Sequence, residues 1–117
     1  MTIEADIFNA LKGLVANRVY PDPQDIVPIK PYIMWQQVSG EAINYVDPTL
    51  PVLRNARIQI NVWADTRLQV TTLMRQVEDA MRLASSLQTT VIGAAVSLFE
   101  SEPRLFGSMQ DFSVWGV

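Results

Sequence analysis

The run RNARIQINVWADT, Arg54 to Thr66, alternates apolar and polar residues with a period of two. Ile58, Ile60 and Val62 fall on one side, and Arg57, Gln59 and Asn61 on the other. An alternation of this length describes a strand with one face buried and one face turned to water. Such a strand cannot bury its apolar row alone. It needs neighbours in a sheet and a second layer to cover one face. The pattern breaks once, where Trp63 places a large apolar ring on the polar side.

Two segments have the periodicity needed for the covering layer. Ile3, Ile7, Ala10, Leu11 and Leu14 recur at helical spacing behind Thr2, which can cap, with Glu4 and Asp6 near the positive first turn. This predicts a helix to about Ala16, slightly weakened by Gly13. The second segment opens with capping-box spacing from Thr66 to Gln69, with Asp65 as the alternative cap. It carries Leu68, Val70, Leu73, Val77, Ala80, Met81 and Ala84 as its apolar stripe. Glu78 and Arg82 form a favourable i,i+4 pair, and the helix should end near Leu83 to Ser86.

The remaining chain reads as strands and loops. After a short extended RVY come four prolines between Pro21 and Pro31, which disfavour helix and mark a loop. Tyr32 to Ser39 is a strand by its β-branched and aromatic content. Gly40 to Leu53, with Pro48 and Pro51, has no sustained period and reads as a long loop or an extended hairpin tip. Ala94 to about Glu102 is a strand, Pro103 and Gly107 suit a turn, and Asp111 to Val117 is the closing strand. The order is α-β-β-β-α-β-β in one domain over residues 1–117. The expectation is α+β: a mostly antiparallel sheet of about four to five strands with two helices packed on one face.

Composition narrows the chemistry. Hydrophobic residues make up 49% and charged residues 18%, enough apolar material for a core without staples. There is no cysteine, hence no disulfide, thiol nucleophile or Cys-based zinc site, and no histidine to act as base or metal ligand. The lysines are Lys12, in a helix, and Lys30, in the proline-rich loop, so a nucleophile would lack a base beside it. Glu100, Glu102 and Asp111 could in principle hold a divalent cation through oxygen, but a solvated strand edge is the favoured reading. No phosphate-cradling glycine motif occurs, so no cofactor is expected. Met34, Met74, Met81 and Met109 read as packing. Nine scattered basic residues against twelve acidic ones argue against nucleic acid as a partner. The start MTIEADIF is unlike a signal peptide, and no apolar run approaches the ~20 residues of a membrane span, so no membrane is expected and the protein reads as soluble and made inside the cell.

The tryptophans bear on partners. By alternation Trp35 goes with Gln37 and Ser39, Trp63 with Gln59 and Asn61, and Trp115 with Asp111 and Ser113, each on the more polar side of its strand. Two explanations stand. Either long loops or sheet edges cover the rings, or the three form an aromatic band at a subunit interface.

The segments RVYPDPQDIVPIKPYIMWQQVSG, RIQINVWADT, FESEPRLF and DFSVWGV, in that order and spacing, resemble the small tail-completion, or tail-terminator, proteins of long-tailed bacteriophages and prophages. The strongest parts are Arg57–Ala64 and Asp111–Trp115. Asn61 stands where an acidic residue is expected, and Gly40–Arg54 matches least. The resemblance implies a structural, non-enzymatic subunit of the virion, made in the bacterial host cytoplasm. It would sit at the head-proximal end of the tail tube as a ring, typically a hexamer. Its partners would be further copies of itself, the tail tube protein and a head connector or neck protein. The interface is expected at Trp35, Gln59, Asn61, Trp63 and Trp115 on the sheet and at Tyr45, Asp47 and Leu50 in the long loop. The loop is expected to become ordered on assembly. Another neck or minor tail component, and a small metal-dependent enzyme on a similar scaffold, remain the alternatives.

Overall fold

The computed structural model describes residues 2–22, 28–101 and 104–116. Glu102, Pro103 and much of the proline-rich loop lie outside the described residues. The elements are α1 (Ile3–Leu11) with a 3-10 turn at Lys12–Leu14, β1 (Val19–Pro21), β2 (Tyr32–Ser39), β3 (Arg54–Ala64), α2 (Arg67–Leu83), β4 (Thr90–Ser101) and β5 (Arg104–Gly116). The five strands form one mixed sheet in the order β1-β2-β3-β5-β4. β1 runs parallel to β2, and the other pairs are antiparallel. The expected α+β class and element order are therefore the observed ones.

The apolar row of β3 organises this arrangement. Ala56, Ile58, Ile60, Val62 and Ala64 are all buried on one face. The register sets Ile33 opposite Val62 and Trp35 opposite Ile60 on β2. On β5 it sets Phe112 opposite Ile58 and Val114 opposite Ala56. Both helices cover this row: Ile7 and Leu11 from α1, and Val70, Leu73, Met74, Val77 and Met81 from α2. Losing a fully buried ring such as Phe112 from a core of this kind costs about 3–5 kcal/mol.

The helix starts are built as their sequences predict. Thr2 Oγ1 accepts from Ala5 N at 3.2 Å, and Thr66 Oγ1 accepts from Gln69 N at 3.2 Å. Arg82 and Glu78 lie 3.5 Å apart as the expected i,i+4 pair. The first helix is shorter than expected. It tightens into the 3-10 turn, and Ala16 and Asn17 at φ of 49° and 67° reverse the chain before β1. Leu68, expected on the α2 stripe, is 77% exposed. It stands two residues, about 200° of helical rotation, from Val70 and so points away from the core.

The helix-facing row of β5 holds two polar residues, Ser108 and Gln110, both buried. Gln110 Nε2 donates to Glu78 Oε1 at 2.7 Å and to Gly93 O at 3.1 Å, joining α2 to the bulge of β4. That bulge shifts the β4–β5 register between Ile92 and Val96, with Gly93 at φ 74°. Arg67, in the first turn of α2, donates to Gly107 O at 2.6 Å and Leu98 O at 2.7 Å and lies over the Phe106 ring. These contacts clamp the β4–β5 hairpin to the helix layer.

β5 begins at Arg104, not Asp111, so Gly107 lies inside a strand and is not a turn residue. It faces Trp63 across the β3–β5 ladder. A Cβ at Gly107 would meet the indole at 2.6 Å, so the glycine is there to let the ring lie flat against the strand. β4 likewise starts earlier than expected, at Thr90. Gly107→Ala should destabilise the protein by about 1–3 kcal/mol through overpacking against Trp63. Equilibrium urea unfolding checks this, with the loss expected to shrink when Trp63 is also shortened.

Candidate functional site

The three tryptophans do not share one face. Trp35 belongs to the core beneath the helices, because Ile33 and Trp35 lie opposite Val62 and Ile60. It does share its strand side with Gln37, which lies opposite the buried Ile58 but is itself exposed. Trp63 points to the opposite face. There it is buried to 7% exposure with Tyr32 and Leu105, and Tyr20, Met34 and Leu98 pack around them. Trp115 is half-buried and pairs with Asn55. Eight residues of β3 separate Asn55 from Trp63, about 27 Å along the strand. The expected aromatic band is thus corrected to one core ring, one ring in a small second cluster, and one ring at the far end of the sheet.

Around the second cluster the open face is polar and internally paired. Arg57 Nη2 lies 2.8 Å from Asp111 Oδ2, an exposed ion pair worth under about 1 kcal/mol. Asp111, suggested as a metal ligand, is therefore engaged by a guanidinium. Its suggested companion Glu102 lies outside the described residues, and no metal-binding group of carboxylates occurs among the described ones. Gln59 is partly exposed opposite Gln36 and Asp111. Asn61 Oδ1 and Trp63 Nε1 are buried without a hydrogen-bond partner among the described residues. A cavity of about 20 Å³ beside Asn61, bordered by Asp22, Gln36 and Gln59, has room for about one water.

The second candidate region is the segment between β2 and β3, Gly40 to Leu53, which forms an arm at one end of the sheet. Its base is pinned. Glu41 N donates to Asn55 Oδ1 at 2.9 Å, and Asn55 Nδ2 donates onward to Ser113 Oγ and Val114 O. Gly40 passes so close to β3 that a Cβ would meet Asn55 O at 2.5 Å. Asp47 accepts from both the backbone N–H and the hydroxyl of Thr49, a side-chain-closed turn that shapes the tip around Pro48. Between these fixed points several apolar side chains face outward. Tyr45 is 52% exposed, Leu50 81%, Val52 80%, and Val46 fully exposed. A concavity of about 590 Å³ lies under the arm, with Trp35, Gln37, Ile43 and Leu53 among its walls and Ile3 of α1 at its edge.

Sequence reasoning singled out Tyr45, Asp47 and Leu50, and the structure brings these three together on the arm. It does not bring them together with Trp63 or Asn61, which stand some 20 Å or more away along β3 by strand rise. The Tyr20–Tyr32–Trp63–Leu105 cluster was not legible beforehand. It depends on which residue faces Trp63, a matter of register between strands far apart in the chain. The Arg67 clamp likewise gives no local signal.

The family described as "Tail completion protein gp17" has a model that matches residues 6–116. Among solved structures, a chain of the "Virion of native gene transfer agent (GTA) particle" is similar in fold, with a TM-score of 0.62 and 16% identity, covering 97% of this chain and 93% of that one. A comparison with curated protein sequences gave no match.

Two measurements test the second cluster. Trp63→Ala should cost about 3–5 kcal/mol, as for a core ring. Trp63→Phe should cost clearly less, because it keeps most of the apolar area and removes a buried donor that has no partner among the described residues. Tyr32 has its phenol pKa raised above the ordinary 10.0, first by burial and second by the Glu100 carboxylate. A raised folded-state value means that the stability it contributes is intact below pH 10 and is lost as pH climbs through the folded-state pKa. Urea midpoints across alkaline pH should fall more steeply for wild type than for Tyr32→Phe.

Proposed function

The chain belongs to the tail completion protein family, and from that premise we propose that it closes the head-proximal end of a phage-type tail tube as a ring of identical copies, stopping elongation and offering the surface on which the head docks. The family is one of structural phage proteins and not an enzyme class. A structural component of a tail or neck works by binding other virion proteins, so its functional groups are surfaces.

The observation that carries the finer reading is the arm. It is anchored at Asn55 and Gly40, yet turns Tyr45, Val46, Leu50 and Val52 to solvent. Monomers seldom keep several large apolar side chains exposed on one projecting segment. Covering them on assembly gives a driving force that is absent from the isolated subunit. We therefore assign Tyr45, Asp47 and Leu50 to the assembly surface: Tyr45 and Leu50 as contacts, and Asp47 as the residue that shapes the tip. Trp35 and Trp63 we assign to stability. Gln59, Asn61 and Trp115 remain on the open face as candidates for contact with the tube or connector.

A ring uses different patches of the same subunit on its two sides. The arm, being narrow, holds a neighbour weakly until a tube end brings the copies together. Sedimentation should show monomer at low micromolar concentration with larger species growing as concentration rises. A tight two-fold dimer that persists on dilution counts against the ring. In the producing strain, loss of the protein should give tubes of uncontrolled length without heads, read by electron microscopy. Tails of normal length that lack heads would place the chain elsewhere in the neck.

A further inference from the structure

Resting on the ring reading, we propose that Ala42–Val46 of one copy adds as an extra strand to the free edge of β4, at Val96–Phe99, of the next copy. The two edges of the sheet differ in how they are closed. At one edge β1 is only three residues long and ends in Pro21, which has no N–H, before Asp22 turns the chain at φ 69°. That is how natural sheets blunt an edge. At the other edge β4 is twelve residues long and is the last strand of the sheet. From Thr90 to Phe99 it contains no proline and no charge. The Gly93 bulge disrupts its first part, leaving the stretch after the register shift as regular strand. Alternate residues there turn backbone N–H and C=O away from β5, and Val96 and Phe99 are about half exposed.

The arm supplies the matching element. Ala42–Val46 is free of proline and charge, carries Ile43, Tyr45 and Val46, and makes no strand pairing with the described residues of its own chain. Both partners are uncharged, so their contact strands no ion in a dry interface. The size fits a weak contact. Ala42–Val46 in extended form exposes on the order of 800 Å². Covering about half of it stays below the ~800 Å² per partner of a stable interface, in keeping with copies that hold each other only weakly alone. The contact joins copies and not parts of one copy. The arm leaves the sheet where Arg54 faces Gly116, while Val96–Phe99 lie beside Phe106–Met109 at the opposite end. Arm to edge is therefore a head-to-tail contact between different patches, the kind that closes a ring.

The chain has no cysteine, so disulfide trapping is clean. Asn44→Cys combined in turn with Val96→Cys, Ser97→Cys and Phe99→Cys samples the neighbouring registers, and a disulfide forms only where Cα atoms come within about 7 Å. All four positions are exposed, so thermal melts of the reduced Asn44, Val96 and Ser97 variants should match wild type, whereas Phe99→Cys gives up a ring contact with Phe106 and should melt slightly lower. At concentrations where sedimentation shows oligomers, oxidation of at least one double variant should give a ladder of covalent multimers that collapses to monomer on reduction. The single Asn44→Cys variant should stop at dimers. Oligomers that form while no double variant exceeds the dimer yield of the single variants place the arm elsewhere, on the tube or on another face, and overturn this inference while the ring reading stands. A disulfide closing within one chain also overturns it. A protein that stays monomeric at the highest concentration reached, with no cross-link, overturns this inference, while the ring reading is decided by tail length and head attachment.

Discussion

The rest of the structure depends on the burial of one row of side chains, Ala56, Ile58, Ile60, Val62 and Ala64, along the central strand. β3 has a strand on each side, so both its ladders are internal, and its apolar row is the floor on which both helices rest. The partners of this row are fixed by register. A slip of one residue would turn the whole set to the other face. The capped starts of α1 and α2 and the Gln110–Glu78–Gly93 contacts hold the helix layer in the position that this floor requires.

A sheet covered on one side only must also manage its other side. Here the solution differs along the strand. Near Tyr32 and Leu105 the open face is closed by Trp63, whose ring lies on the bare backbone of Gly107. Further along, Arg57 and Asp111 face each other and Asn55 bridges to β5, leaving a polar surface. A tryptophan on the polar side of a strand is thus accommodated by the absence of a side chain opposite it. On the same face Asn61 Oδ1 and Trp63 Nε1 have no hydrogen-bond partner among the described residues, a local polar deficit.

The arm follows a different logic. Its base and tip are hydrogen-bonded, but the residues between them gain little from their own chain. Ordering such a segment costs conformational entropy, and the return comes only when its apolar side chains are covered. That division of labour suits a subunit of a phage tail structure. In the proposed reading the sheet-and-helix body supplies the stability and the arm carries association, so that changes in the body alter folding and changes on the arm alter assembly.

The amino-acid sequence by itself determined the element types and their order, because helical and strand periodicity, capping residues and proline placement are local signals. It also determined that no imidazole or thiol chemistry is open to the chain, since histidine and cysteine are absent from it. The resemblance carried by Arg57–Ala64 and Asp111–Trp115 agrees with the family match over residues 6–116, and those segments lie on adjacent strands of the sheet. Only the tertiary structure decided where the tryptophans point. Alternation shows which residues share a strand face, but not which face the helices cover, and so the polar neighbours of Trp35 point to the wrong side. Gly107 was read as a turn for the same reason: what makes a glycine necessary there is a ring forty-four residues earlier in the chain, brought opposite it by the β3–β5 register. Local chemistry is written in neighbouring residues, whereas the choice of buried face, and of what lies across from a ring, is made by long-range pairing that no short stretch of sequence contains.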